Sequence, residues 1–172
     1  PLFIKNFNDY AYVLNNTFVQ KILIDYKQAN FIAHSTGTLV YLNALRLNTL
    51  PSFAHTILIA PLIITKMWWF SKSLYYLLSI FTDKINRGES TNSKLRAFKA
   101  QDKNLINAVT TDWFKKFILW NQELKKDTKS YPNNINVILS GSDEVVDNDN
   151  SREYYSKHFK NINFIEIKNA EH

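Results

Sequence analysis

The sequence predicts an α/β protein, in which a parallel sheet is flanked by helices and interrupted by a helical cap. Three observations predict it. Short apolar runs recur at 29–34, 56–60, 135–140 and 162–167, helically spaced residues lie between paired runs, and the aromatic-rich stretch from 62 to 130 has a helical pattern.

Each element has its own warrant. Asn6 can cap an amphipathic helix over 7–27 that aligns Phe7, Tyr10, Ala11, Leu14, Phe18 and Ile22 on one face. ANFIAH at 29–34 and TILIA at 56–60 read as strands buried on both faces of a parallel sheet, joined by a helix over 36–48. INVILS at 135–140, introduced through Pro132 and left at Gly141, and INFIEI at 162–167 supply two more strands, with a helix over 150–160 between them. Between Leu62 and Ser130 two aromatic helical segments, WWFSKSLYYLLSIF and TTDWFKKFILWNQELKK, flank the polar stretch DKINRGESTNSK. This reads as an insertion between two strands, neither a repeat nor a linker.

Composition narrows the chemistry. The chain has 172 residues, 45% of them apolar and 15% aromatic, enough for one core. It has no cysteine, so disulfides, zinc-thiolate sites and thiol nucleophiles are excluded. No spacing of His residues suggests a metal site; His55 and His158 fall in polar connections and are expected to be solvated. The start lacks the order of a signal peptide, and the longest apolar stretches fall short of a spanning helix. A soluble, cytoplasmic protein is expected. The net charge of +6 comes from dispersed lysines without a basic stripe, which argues against nucleic acid and suits mild attraction to anionic lipid surfaces. Asn15-Asn16-Thr17 matches a glycosylation sequon by chance, since it falls within a helix.

The stretch FIAHSTGTLVYL concentrates the functional signal. A strand, a turn bearing Ser35 and an immediate helix is the context of a nucleophile elbow, with the small residues Ala33 and Gly37 two places either side of the serine. The amide of Thr36, at the helix N-terminus, then faces the place where an oxyanion forms. A serine before a helix is equally an ordinary N-cap. A serine nucleophile needs a histidine and a carboxylate. The strand at 135–140 runs into an acidic turn holding Asp143, Glu144 and Asp147, and the strand at 162–167 runs into Ala170-Glu171-His172. Ser, Asp and His in that order, each leaving a strand at one sheet edge, is the α/β-hydrolase order.

The set AHSTG, ILIAPLI, TTDWF, INVILSGSDEVVDN and IKNAEH resembles the lysophospholipase and monoacylglycerol lipase branch of the α/β hydrolases, which are serine aminopeptidase-like hydrolases, over nearly the whole chain. The resemblance implies the C-terminal part of an α/β-hydrolase fold, with 1–61 and 131–172 as core and 62–130 as an inserted cap or lid. It implies Ser35 as nucleophile, Asp143 as the orienting acid and His172 as base. Ala33 in the elbow and Asn169 before Ala170 depart from the pattern and bear on turn geometry more than on chemistry. His34 is structural in that pattern, and Asp147 reads as a helix N-cap.

The function expected is hydrolysis of carboxylic esters, lysophospholipid or monoacylglycerol, through an acyl-enzyme, with Thr36 N–H in the oxyanion hole and neither metal nor organic cofactor. The cap aromatics Trp68, Trp69, Phe70, Tyr75 and Tyr76 are read either as core or as an acyl-chain pocket that dips into a membrane interface. The alternatives are a serine aminopeptidase or proline iminopeptidase-like hydrolase and a non-catalytic lipid-binding protein of the same fold. The family's upstream His-Gly oxyanion loop has no counterpart here, so the chain is expected to be a fragment with little activity alone.

Overall fold

The computed structural model describes residues 4–86, 97, 100, 101 and 108–172. Most of the polar stretch between the two cap segments, from 87 onward, lies outside the described residues.

Among the described residues four strands form the parallel sheet: β1 (Asn30–His34), β2 (His55–Ile59), β5 (Tyr131–Ser140) and β6 (Phe159–Ile167), in the spatial order β1-β2-β5-β6. The last two begin earlier than the apolar pattern predicts. Tyr131 pairs with Phe159 ahead of a register irregularity at Tyr131/Asn134 that accommodates Pro132, whose missing N–H cannot join a regular ladder. Helix α2 (Thr36–Arg46) connects β1 to β2 and α5 (Asn148–His158) connects β5 to β6. Asp147 caps α5 by accepting the Asn150 N–H at 2.9 Å.

The double-sided burial expected of the strands is not what these residues make. One face is buried through Ala33, Thr56, Leu58, Ile135, Val137 and Leu139, while Ile32, Ile165 and Ile167 on the other face are exposed. Both crossovers step in the same direction across the sheet, and right-handed crossovers in one direction put their helices on one face. Tyr155 of α5 accordingly lies beside Thr38 and Tyr41 of α2.

The amphipathic helix expected over 7–27 is broken. It is α-helical only as α1 (Asn8–Val13), then π-helical over Leu14–Val19 and 3-10 over Leu23–Asp25. Its N-cap is Phe7, and Asn6 instead accepts the Asn8 N–H in a local turn. The Gln20 N–H reaches back to the Asn15 carbonyl, an i to i+5 bond. That wider turn rotates everything after it, so Phe7 and Ala11 are buried whereas Phe18 and Ile22 are exposed. The Asn15-Asn16-Thr17 run has poor α-helix propensity and favours such a departure.

Between β2 and β5, α3 (Trp68–Leu78) packs on α4 (Thr111–Leu124), and β3 (Lys84–Asn86) pairs antiparallel with β4 (Ala108–Thr110), a ribbon the sequence does not announce. Thr110 caps α4 by accepting the Trp113 N–H. Phe117 of α4 is fully buried and lies at the centre of an aromatic cluster, touching Phe7, Trp113 and Trp120 as well as Trp68 and Phe114. One hydrophobic cluster therefore runs from α1 through α4 into α3.

Candidate active site

Three turns leave the carboxyl edge of the sheet, and each is held there by an identifiable contact. Ser35 follows β1 at φ 51° and ψ −118°, a conformation that costs a non-glycine residue on the order of 1–3 kcal/mol. The surroundings enforce it. Ser35 N–H donates to the Ile59 carbonyl at 3.0 Å, and its own carbonyl accepts from the N–H and the hydroxyl of Thr38 at 3.0 and 2.7 Å. Thr38 Oγ1 in turn accepts the Leu62 N–H, tying the elbow to the end of β2. A Cβ on Gly37 would stand 3.6 Å from that of Ala33, ordinary contact, so alanine fits where glycine is commoner.

The acidic turn begins at Gly141. A Cβ there would fall 2.5 Å from the Lys168 carbonyl oxygen, so only glycine lets the turn lie against the backbone leading to His172. Gly141 N–H donates to Ile167 and Ser142 N–H to Ala170, both at 2.9 Å, which stitches the acidic and histidine turns together. Asp143 is buried. Its Oδ1 accepts the N–H groups of Val145 and Val146 at 2.7 and 2.9 Å, leaving Oδ2 free to face the imidazole. A second clasp holds the other side of the turn: Lys66 N–H donates to Val145, Asp147 N–H to Ile64, and Lys66 Nζ to the Asp143 carbonyl.

These turns bring Ser35, Asp143 and His172 together. His172 Nδ1 is 2.9 Å from Asp143 Oδ2, and its Nε2 is 2.8 Å from Ser35 Oγ. With the proton on Nδ1, the imidazole donates to the carboxylate and accepts from the serine hydroxyl, which satisfies all three groups. The arrangement can draw the proton from Ser35 as its oxygen attacks a carbonyl and can stabilise the imidazolium so formed. Thr36 is the first residue of α2, so its N–H has no acceptor within the helix and lies at the positive end of the helix dipole. No group of His, Asp and Glu among the described residues could hold a metal ion.

The aromatics of α3 divide. Trp68 and Tyr75 are buried against Phe114, and Trp68 also against Phe117, as core residues. Trp69, Phe70 and Tyr76 are exposed, at 77%, 60% and 58%, with Lys72 Nζ 5.1 Å above the Trp69 ring. The cavity of about 180 Å³ between α4 and α5, lined by Ile63, Leu124, Tyr154 and His158, includes none of Ser35, Asp143 and His172. His158, expected to be solvated, is buried: its Nδ1 meets the Lys129 carbonyl at 2.7 Å and its ring stacks on Tyr154. His55 is exposed. Two features of the site went unread in the sequence. The clasp through Lys66 has no local signal, and the place of His34 beside His172, ring centroids 5.1 Å apart, follows only from the three-dimensional meeting of two turns.

Parallel strands that hand off a serine elbow, an acid and a histidine in that chain order follow the plan of the α/β hydrolases, and the sheet is part of that fold. The chain belongs to the serine aminopeptidase, S33 family, whose model it matches over residues 2–172. Among solved structures it is similar to a monoacylglycerol lipase of Paleococcus ferrophilus, with a TM-score of 0.72 at 14% identity over 98% of this chain and 67% of that one. It is similar to a soluble variant of monoglyceride lipase from Saccharomyces cerevisiae in complex with a substrate analogue, with a TM-score of 0.64 at 17% identity over 96% of this chain and 63% of that one. A peroxisomal alpha-beta-hydrolase of Saccharomyces cerevisiae is similar with a TM-score of 0.59 at 18% identity, over 98% of this chain and 54% of that one. At such identities the likeness is one of fold. No curated protein sequence matches the chain. The resemblance drawn from its motifs agrees with the family and with these folds.

Proposed function

We propose that the protein hydrolyses carboxylic esters of lipids, with lysophospholipid or monoacylglycerol as the substrate class. The observation that carries this reading is the relay from Asp143 through His172 to Ser35, with both hydrogen bonds within 2.9 Å. Ser35 Oγ attacks the ester carbonyl while His172 Nε2 takes its proton. The oxyanion is met by Thr36 N–H, the proton passes to the departing alcohol, and water then cleaves the acyl-enzyme by the same route.

The exposed side of α3 supports a lipid substrate. Met67, Trp69, Phe70, Leu77 and Ile80 are exposed on and beside it, with Lys72 Nζ over the Trp69 ring, a face suited to an acyl chain or an anionic interface. No helix among the described residues is long and apolar enough to cross a membrane. The family's name favours a second reading, removal of N-terminal residues from peptides by the same machinery.

Activity in this reading also draws on polypeptide beyond these 172 residues. Among the described residues Ile32, Ile165 and Ile167 on one sheet face are exposed and the outer edge of β1 has no partner strand; with the chain's span of 67% and 63% of the two lipases this supports it, because parallel sheets are normally covered on both faces. A second oxyanion donor, worth about 10² to 10³ in kcat in a comparable site, would come from there.

The test is a substrate panel on the natural protein: monoacylglycerol, lysophospholipid, a short acetate ester and an aminoacyl amide. Turnover of the lipid esters with a kcat/KM above that for the amide is expected. Preference for the amide would transfer the function to the peptidase reading, and no turnover of any would leave a lipid-binding protein.

A further inference from the structure

His172 is held at two atoms, Nδ1 by Asp143 and Nε2 by Ser35. Two hydrogen bonds, one at each nitrogen, leave the ring free to tip and to turn about the line that joins them. Tipping of the ring bends both bonds, and hydrogen bonds weaken steeply as they bend. A flat group against the ring face would stop that motion.

One is present. The ring of His34 lies against that of His172, with centroids 5.1 Å apart and planes at 41°. His34 ends β1 and pairs with Ile59, and the very next residue, Ser35, donates its N–H to that same Ile59. The group that meets the base and the group that gives it a proton therefore stand on one rigid strand end.

We propose that His34 is a positioning residue, whose ring fixes the plane of the His172 imidazole relative to the Ser35 hydroxyl. The proposal rests on the reading of Ser35, His172 and Asp143 as the reacting groups and adds a fourth side chain to it. Its charge state suits the role. Desolvation and then the nearby His172 hold the His34 imidazole below its ordinary value, against an upward pull from Asp143. Near neutral pH it is thus an uncharged ring, which does not oppose the imidazolium that His172 becomes.

If flatness is what matters, the ring can be exchanged for another. We expect His34→Ala and His34→Gln each to lower kcat on a short soluble ester by about 10- to 100-fold, the scale of a slightly misplaced group, with KM within about twofold. His34→Phe should recover most of that loss. Thermal unfolding of each variant reports the folded fraction by which kcat is corrected. A purely structural histidine would move stability without separating Phe from Gln. His34→Gln at wild-type kcat, or His34→Phe no better than His34→Gln, would overturn the proposal. Ser35→Ala, assayed alongside, separates two kinds of failure. If it is inactive while His34→Gln is unimpaired, the role of His34 alone fails; if Ser35→Ala keeps full activity, the reading of the reacting groups fails and the proposal with it.

Discussion

Strand β5 begins shortly after one buried aspartate and ends shortly before another. At its amino end, Asp127 accepts the Lys129 N–H on Oδ1, while Oδ2 takes the hydroxyls of Tyr131 and Tyr154 at 2.8 and 3.2 Å and lies 3.4 Å from Arg46 Nε. At its carboxyl end, Asp143 accepts two backbone N–H groups on Oδ1 and meets one imidazole on Oδ2. The first carboxylate binds groups whose other contacts end in packing, and it joins α2, β5 and α5. The second binds a group whose far nitrogen reaches a hydroxyl held in a strained turn. In the proposed reading, two buried acids flanking one strand divide structure from chemistry by what their partners touch next.

The contrast breaks most sharply at Asp143. Asp143→Asn should lower kcat by on the order of 10⁴, as an imidazole in the wrong tautomer does, with little change in melting temperature. Asp127→Asn should do the reverse, costing about 2–4 kcal/mol of stability through stranded buried partners while kcat per folded molecule stays unchanged. Denaturant melts and steady-state kinetics on both variants check the pair; a similar profile for the two would erase the distinction.

Acid should expose the same difference. Burial pushes the Asp127 carboxyl up, but the Lys129 N–H, the Tyr131 hydroxyl, Arg46 and the Tyr154 hydroxyl outweigh it and hold the group below its ordinary value. A depressed carboxylate stabilises the fold above its unfolded value, about 3.9, and that contribution is lost as pH falls through the folded value. Stability of the wild type should therefore drop more steeply below about pH 4 than that of Asp127→Asn, measured by urea melts across pH.

A smaller effect sharpens the carboxyl end. Gly141→Ala places a methyl within 2.5 Å of the Lys168 carbonyl oxygen, so the acidic and histidine turns must part. A loss of about 10²-fold in kcat is expected, whereas the same assay on Gly37→Ala, where the added carbon meets Ala33 at 3.6 Å, should show far less. Smallest is the effect on α3. Replacing Trp69 and Phe70 with Ala should cut hydrolysis of long-chain ester in anionic vesicles by about tenfold and spare a short acetate, since both rings are exposed. Equal losses on the two substrates would assign these rings to packing.

Much of this was legible before any coordinates. The elbow, the acidic turn and the histidine turn were readable because each is a local event, a strand ending in a small or acidic turn. Asp147 was readable as a cap for the same reason. The broken first helix was not, because a π turn shifts the side-chain phase without changing the apolar spacing that predicts a helix. The sheet face left exposed among the described residues was hidden because an apolar strand reads alike whether one face or both are covered; only the direction of the crossovers separates the cases. His158 was misread since its burial depends on Tyr154 one turn before it and on Lys129 from a distant loop. The meeting of His34 with His172, and of Lys66 with the Asp143 carbonyl, joins segments far apart in the chain, which no local pattern encodes.

The most direct test of the account is covalent labelling with a fluorophosphonate, which reacts with a serine only when a base has activated it. Mass spectrometry of the labelled natural protein should find the adduct on Ser35, with labelling lost in Ser35→Ala and slowed strongly in His172→Ala. Folded protein that takes no label at Ser35, or takes it there equally fast without His172, would contradict the central claim that Asp143, His172 and Ser35 act as one unit.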